Sequence, residues 1–196
     1  MNLDEYIKFW GQENLLRYDV SIVNNLRISA ESKQFLIQVG LPIGGEYTIP
    51  LHPIDPTLPE LQSVCFDRKR IPMPYRFLRL LGSKKDPSGL FKTLYGIHEE
   101  MNGSVFAVYD RVHMEPTVRF VNSSVQQYGE FIFQVEKWIS WLYGENYRSE
   151  DKYPAAWQLI RILQEIDQEA CELEVSPGLE AEWGDMIAYI KTTGAI

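Results

Sequence analysis

The sequence predicts one domain in which a long α-helix packs across a β-sheet. Two features predict this arrangement. The dipeptide Asn102-Gly103 separates two apolar segments and is typical of a β-hairpin, because both central residues of a tight turn adopt positive φ. Residues 125–142 repeat apolar side chains at helical spacing directly after a further short strand. The 196 residues suit a single domain with a sizeable core, and no internal repeat or dividing linker is visible.

Two helices are predicted near the N-terminus. Residues 4–10 form the first, and its apolar side holds Tyr6, Ile7 and Trp10. Residues 29–39 form the second, with Ser29 as the N-cap. Gly40 favours the left-handed conformation that ends a helix, and Pro42 prevents its continuation.

The middle of the chain supplies the strands. Strand candidates cover residues 47–51, 64–66, 75–81, 94–101, 104–109 and 117–121, and residues 82–89 have the composition of a loop. Residues 104–109 are apolar on both faces, so we expect this strand at the centre of the sheet with both faces covered. A two-residue turn at Asn102-Gly103 would place His98 opposite Ala107.

Three helices are predicted after the sheet. Ser124 and Gln127 have capping-box spacing at the start of the first helix. Its apolar stripe consists of Val125, Tyr128, Ile132, Val135, Ile139 and Leu142. The second helix runs from Pro154 to Leu173. Ser176-Pro177 begins the last one, whose apolar side holds Leu179, Trp183, Met186, Ile187 and Ile190.

Composition predicts a soluble protein of a reducing compartment. Cys65 and Cys171 form neither a CxxC pair nor a dense disulfide pattern. The first ten residues lack the basic and apolar regions of a signal peptide. No stretch reaches the roughly 18 apolar residues of a membrane-spanning helix. We therefore expect a cytoplasmic location.

The negative charge is concentrated near the C-terminus. Residues 145–185 contain eleven acidic and three basic residues and so account for the whole net charge of −8. One interpretation is a solvated helical face, and the other is a surface that attracts a basic protein by electrostatic steering. The acidic balance disfavours nonspecific nucleic-acid binding. The basic residues Arg68, Lys69 and Arg70 are expected to be solvated.

No motif for a metal or cofactor is present in the sequence. The histidines, His52, His98 and His113, lack the local spacings of zinc ligands and are expected on the surface. A metal site at His98, His113 and the nearby glutamates, including Glu115, is the less favoured alternative. The glycines of GLPIGG are not followed by the lysine of a phosphate loop. We expect no cofactor.

No catalytic constellation is recognisable either. Ser123 and Ser124 lie outside a GxSxG motif, and helix capping explains both. Glu99 and Glu100 would point to opposite faces of a strand. A small hydrolase that assembles Glu99, Glu100 and His113 stays open as an alternative, because catalytic groups can converge in space from distant positions.

Three strings, in their order, resemble a known family. They are FLIQVGLP at 35–42, NGSVFAVYD at 102–110 and VRFVNSSVQQYGEFI at 118–132. This order is similar to the SUKH superfamily, and most similar to its fourth immunity-protein subfamily. The core of the resemblance covers residues 29–142 of one domain spanning 1–196, with a helical lead-in at 1–28 and C-terminal helices at 143–196. Glu182-Trp183 near the last helix also suits the subfamily.

The resemblance implies an α+β domain with a mainly antiparallel, strongly bent sheet covered by helices. It also implies a non-enzymatic immunity protein that binds and neutralises a cognate bacterial polymorphic toxin. A regulatory or scaffolding protein of the same fold is the alternative. The charge pattern favours a basic toxin, such as a nuclease. The expected contact residues are Glu165, Asp167, Glu169, Glu172 and Glu174, with the acids at 165, 169 and 172 on one exposed helical face.

Overall fold

In the part of the chain that the structure describes, six α-helices accompany nine strands. The computed structural model describes residues 1–43, 63–65, 77–85, 91–111, 117–144, 152–176 and 179–193. The helices are α1 (Leu3–Trp10), α2 (Val20–Asn24), α3 (Ala30–Gln34), α4 (Val125–Leu142), α5 (Lys152–Ile166) and α6 (Gly184–Thr193). A π-helical turn at Phe35–Val39 extends α3, and short 3-10 turns lie at Gln12–Asn14, Glu99–Met101 and Glu169–Cys171.

Within the described ranges, the central sheet has five antiparallel strands in chain order. They are β3 (Ser63–Cys65), β4 (Phe77–Lys85), β5 (Phe91–His98), β6 (Ser104–Arg111) and β7 (Thr117–Asn122). Two small antiparallel pairs complete the strands: β1 (Leu15–Leu16) with β2 (Leu41–Pro42), and β8 (Glu174–Ser176) with β9 (Leu179–Glu180). The predicted α+β class with a mainly antiparallel sheet is confirmed.

The hairpin between β5 and β6 confirms the turn but not the predicted register. Asn102 and Gly103 have φ values of 55° and 84°, as the dipeptide requires. However, β5 ends at His98, and a 3-10 turn lies between His98 and Asn102. A hydrogen bond of 3.1 Å from Gly103 N to His98 O closes the connection. His98 therefore pairs with Ser104, and the prediction that it faces Ala107 is wrong. The connection contains five residues rather than two.

Helix α4 covers the sheet as predicted. Ser124 is its N-cap and accepts a hydrogen bond from Gln127 N at 3.2 Å. The stripe residues that are buried are Val125, Tyr128, Ile132, Val135 and Ile139. The rings of Tyr128 and Tyr95 stack with centroids 6.3 Å apart, which places the helix against β5. Residues 105–108 of β6 are all buried, so the predicted central, doubly covered strand is confirmed.

The N-terminal helices pack on the other side of α4. Tyr6 of α1 lies between Phe35 and Phe133, with ring centroids at 5.8 and 5.5 Å. Ser29 caps α3 as predicted. Gly40 has a φ of 89°, and a Cβ there would lie 2.3 Å from the carbonyl oxygen of Leu16, so this turn requires glycine.

Several predicted boundaries differ from the structure. Gly82–Lys85, predicted to begin a loop, belong to β4, while 86–90 and the strand predicted at 47–51 lie outside the described residues. Helix α5 ends at Ile166 rather than Leu173. The last helix begins at Gly184 rather than after Pro177, because β8 and β9 pair instead. Within the described residues, no helix is both long and apolar enough to cross a membrane.

Candidate partner-binding surface

The acidic segment, residues 165–185, contains eight acidic residues and no Lys, Arg or His. It begins in the last turn of α5 and continues through a 3-10 turn, β8 and β9 to the start of α6. Six of the acids are exposed: Glu165, Glu169, Glu172, Glu174, Glu180 and Asp185. The segment therefore presents six exposed carboxylates, and its own formal charge equals the net charge of −8 of the entire chain.

The four predicted contact glutamates are exposed, but not on one helical face. Glu165 lies in the last turn of α5, Glu169 lies in a 3-10 turn and Glu172 follows that turn. Glu174 lies in β8. The prediction of a shared helical face is wrong, since the helix stops before Asp167.

Asp167, predicted to point outward, is 4% exposed. Its Oδ2 accepts hydrogen bonds from Ser123 N at 2.6 Å and from Asn122 Nδ2 at 3.1 Å. Its Oδ1 accepts from Ser123 Oγ at 3.0 Å and from Ala170 N at 3.4 Å. The carboxylate thus joins the end of α5 to the junction between β7 and α4, and it is unavailable to a partner.

A tryptophan extends this junction to the start of α6. The indole Nε1 of Trp183 donates to Asn122 Oδ1 at 3.1 Å, in a buried contact. The Trp183 ring also packs on Phe131 of α4, with centroids 4.9 Å apart. Asn122 therefore donates to Asp167 and accepts from Trp183, and so connects both ends of the acidic segment to β7. Ser123, predicted as a capping residue, instead binds Asp167, while Ser124 alone caps α4.

Glu182 is the second acid of the segment that turns inward. Its Oε1 accepts a short hydrogen bond from the Tyr109 hydroxyl of β6, and Tyr109 is hydrogen-bonded in turn to Tyr95. Its Oε2 is buried and has no hydrogen-bond partner among the described residues. Burial raises the pKa of Glu182. The hydrogen bond from Tyr109 and the positive charge of Arg119 lower this pKa by less, so it stays above its ordinary value. The backbone N of Glu182 also donates to Phe120 O at 2.7 Å.

Arg119 on β7 lies beside the exposed acids of this region. Its guanidinium contacts Glu180 at 2.8 Å and Asp185 at 3.2 Å and lies 5.7 Å from the centre of the Tyr109 ring. Glu180 is also the register partner of Glu174, and like charges directly opposite on paired strands repel each other. Leu173, between two exposed glutamates, is 59% exposed. The surface therefore combines exposed acids, two of which contact Arg119, with an exposed apolar side chain.

Comparison with known proteins identifies the family. A family model described as "SUKH-4 immunity protein" matches residues 4–187. The chain belongs to the SUKH-4 immunity protein family. Searches of curated proteins and of solved structures found no significant match. Membership in the SUKH-4 family implies a toxin-neutralising immunity function with a cognate toxin as partner.

The strings that carried the SUKH-4 resemblance lie at turns, helix ends and contacts between elements of this molecule. Gly40 ends the helical segment, and Leu41 and Pro42 form β2. Asn102-Gly103 makes the central hairpin turn. Asn122 and Ser123 bind Asp167, and Ser124 caps α4. Their positions therefore support the fold and the attachment of the acidic segment rather than any chemistry.

The residues considered for metal binding or hydrolysis do not assemble into a site within the described part of this SUKH-4 protein. His98 is 2% exposed, with its ring 5.9 Å from that of Phe106, so the prediction of a surface histidine is wrong. Glu99 accepts from Arg27 N at 2.9 Å and Arg79 Nε at 2.7 Å. Burial opposes ionisation of Glu99, but these hydrogen bonds and both arginines lower its pKa overall. His113 and Glu115 lie outside the described residues, among which no metal-binding group of three His, Cys, Asp or Glu occurs.

Proposed function

We propose that this SUKH-4 protein neutralises its cognate bacterial toxin in the cytoplasm by binding alone, and that the acidic segment contacts a basic surface of the toxin. The observation that carries the proposal is the set of six exposed carboxylates in a 21-residue segment free of basic residues. A surface of this kind attracts a positively charged partner and accelerates its capture.

A nuclease is the class of toxin that best suits such a surface. Enzymes that hold phosphate groups present basic residues around the active site. An acidic protein surface can occupy that region in place of the nucleic acid and so block access to the substrate. The exposed Leu173, next to Glu172 and Glu174 in the chain, would add an apolar contact, because burial of apolar surface favours association.

Two experiments test this function. The tagged protein is expressed in its native host, and the captured proteins are identified by mass spectrometry. We expect one protein to be recovered with it in stoichiometric amounts, and we expect the purified protein to inhibit the toxic activity of that partner at an equimolar ratio. Recovery of a partner without toxic activity would favour the alternative, a regulatory or scaffolding role. Consumption of a substrate by the protein alone would contradict a function by binding.

A further inference from the structure

The eight acids of the acidic segment divide into two groups with different surroundings. Six are exposed, whereas Asp167 and Glu182 turn toward the domain. Asp167 binds the end of β7, and Glu182 binds Tyr109 of β6. The two inward acids lie near opposite ends of the segment and contact adjacent strands.

We propose that Asp167 and Glu182 are positioning residues that anchor the acidic segment to the central sheet and so fix the arrangement of its exposed carboxylates for a basic partner. This inference rests on the function proposed above. Burial of a carboxylate is costly unless donors satisfy it. Asp167 meets this cost with four donors, three of which belong to Asn122 and Ser123 at the junction of β7 and α4.

Between the two anchors, the segment is held by a few buried side chains, Ala170, Cys171, Leu179 and Ala181, and by the contact of Glu180 with Arg119. Its 3-10 turn and the β8–β9 pair are short, and Glu172, Leu173 and Glu174 are exposed. Glu174 and Glu180 stand opposite each other, which opposes formation of the strand pair. The backbone contact of Ala181 with Leu173, at 3.4 Å, is long for a hydrogen bond. The contacts of Asp167 and Glu182 therefore supplement this packing at both ends of the exposed stretch.

Rigid placement of these charges matters for recognition. A segment that must be ordered on binding loses conformational entropy at that moment, which weakens the complex. Carboxylates already fixed by the sheet avoid this loss. The anchors would therefore strengthen binding even though neither touches the partner.

The test uses two variants that remove an anchor, Asp167→Ala and Glu182→Ala. Glu182→Gln is compared with them because it keeps an acceptor for Tyr109. The controls, Glu165→Ala and Glu172→Ala, remove exposed acids from the same segment. Amide hydrogen exchange is measured in residues 169–183 and in β6. Loss of a buried acceptor should accelerate exchange about tenfold or more in 169–183 but not in β6. Glu182→Gln should exchange no faster than the wild type in this segment, and both controls should exchange like the wild type.

The second measurement is the binding of each variant to the toxin recovered in the capture experiment, produced in an inactive form. We expect Asp167→Ala and Glu182→Ala to bind at least about tenfold more weakly, and Glu182→Gln to retain wild-type affinity. Equal acceleration of exchange in β6 and in 169–183, or no acceleration, would overturn the proposal.

The two proposals fail in different ways. Unchanged affinity of the anchor variants, combined with slower binding after charge reversal of the exposed acids, would overturn the positioning role and leave the proposed function intact. Unchanged affinity in both sets of variants would overturn the acidic contact surface, and the positioning role with it.

Discussion

Replacing Ile139 by alanine tests whether α4 is the main covering helix of the sheet. Ile139 is 2% exposed on the buried side of α4. The substitution removes three carbon atoms, and at about 0.8 kcal/mol for each buried methylene-sized group the transfer cost is roughly 2.4 kcal/mol. The remaining cavity adds to this, so we expect the free energy of unfolding to fall by about 2–5 kcal/mol.

The assay is urea unfolding followed by circular dichroism, with thermal unfolding as a second readout. A domain of this size should lose about 2–4 °C in Tm for each kcal/mol. The control is Lys137→Ala on the same helix, whose exposed ion pair with Glu5 should contribute at most about 1 kcal/mol. A loss for Ile139→Ala no larger than that of the control would refute the packing described for α4.

Three further predictions concern the cap, the inward acid and ligand binding. Ser124→Ala should lower the free energy of unfolding by about 1 kcal/mol, measured by urea unfolding, and leave partner affinity unchanged, since the hydroxyl serves a local backbone donor. Because the folded-state pKa of Glu182 is raised, its contribution to stability is present below its ordinary pKa of 4.5 and is lost as pH rises through the raised value. Glu182→Gln keeps an acceptor for Tyr109, with Arg119 and Asp185 still beside it. This variant should therefore gain stability relative to the wild type as pH rises from about 4.5 through the raised value, and an unchanged difference in urea unfolding across that range would contradict this. Elemental analysis and absorbance spectra of the purified protein should show no stoichiometric zinc, nucleotide or flavin, and one equivalent of zinc would return attention to His98, His113 and Glu115.

Local sequence signals predicted the elements that they determine on their own. The limits of α4 follow from the cap at Ser124 and the apolar repeat, and both act within a few residues. Positive φ at Asn102 and Gly103 likewise follows from residue type. The β5–β6 register was missed because no local pattern marks the 3-10 turn at Glu99–Met101. Glu99 of that turn accepts a hydrogen bond from the backbone N of Arg27, a residue far away in the sequence.

The acidic surface could be predicted from composition, but the roles of its members could not. Asp167 follows Leu163 by four residues and so lies on the buried line of the helix predicted for 154–173, which was the available signal that it points inward. Nothing near Glu182 indicates its contact with Tyr109, which lies 73 residues earlier in the chain. Nor does a local pattern predict that β8 and β9 replace the start of the last helix, because the backbone of Glu182 pairs with Phe120 on the sheet edge.

The central claim is that the acidic segment captures a basic toxin. The most direct test is the association rate constant with the captured toxin, measured by stopped flow at low and high salt. One triple variant combines Glu165→Lys, Glu169→Lys and Glu172→Lys, and the control variant combines Glu13→Lys, Glu31→Lys and Glu100→Lys. The control changes the net charge by the same amount at exposed sites outside the segment. We predict that the first set slows association at low salt by about tenfold or more and removes most of its salt dependence, while the second set has a much smaller effect. Equal effects of the two sets, or wild-type association that does not change with salt, would contradict the claim.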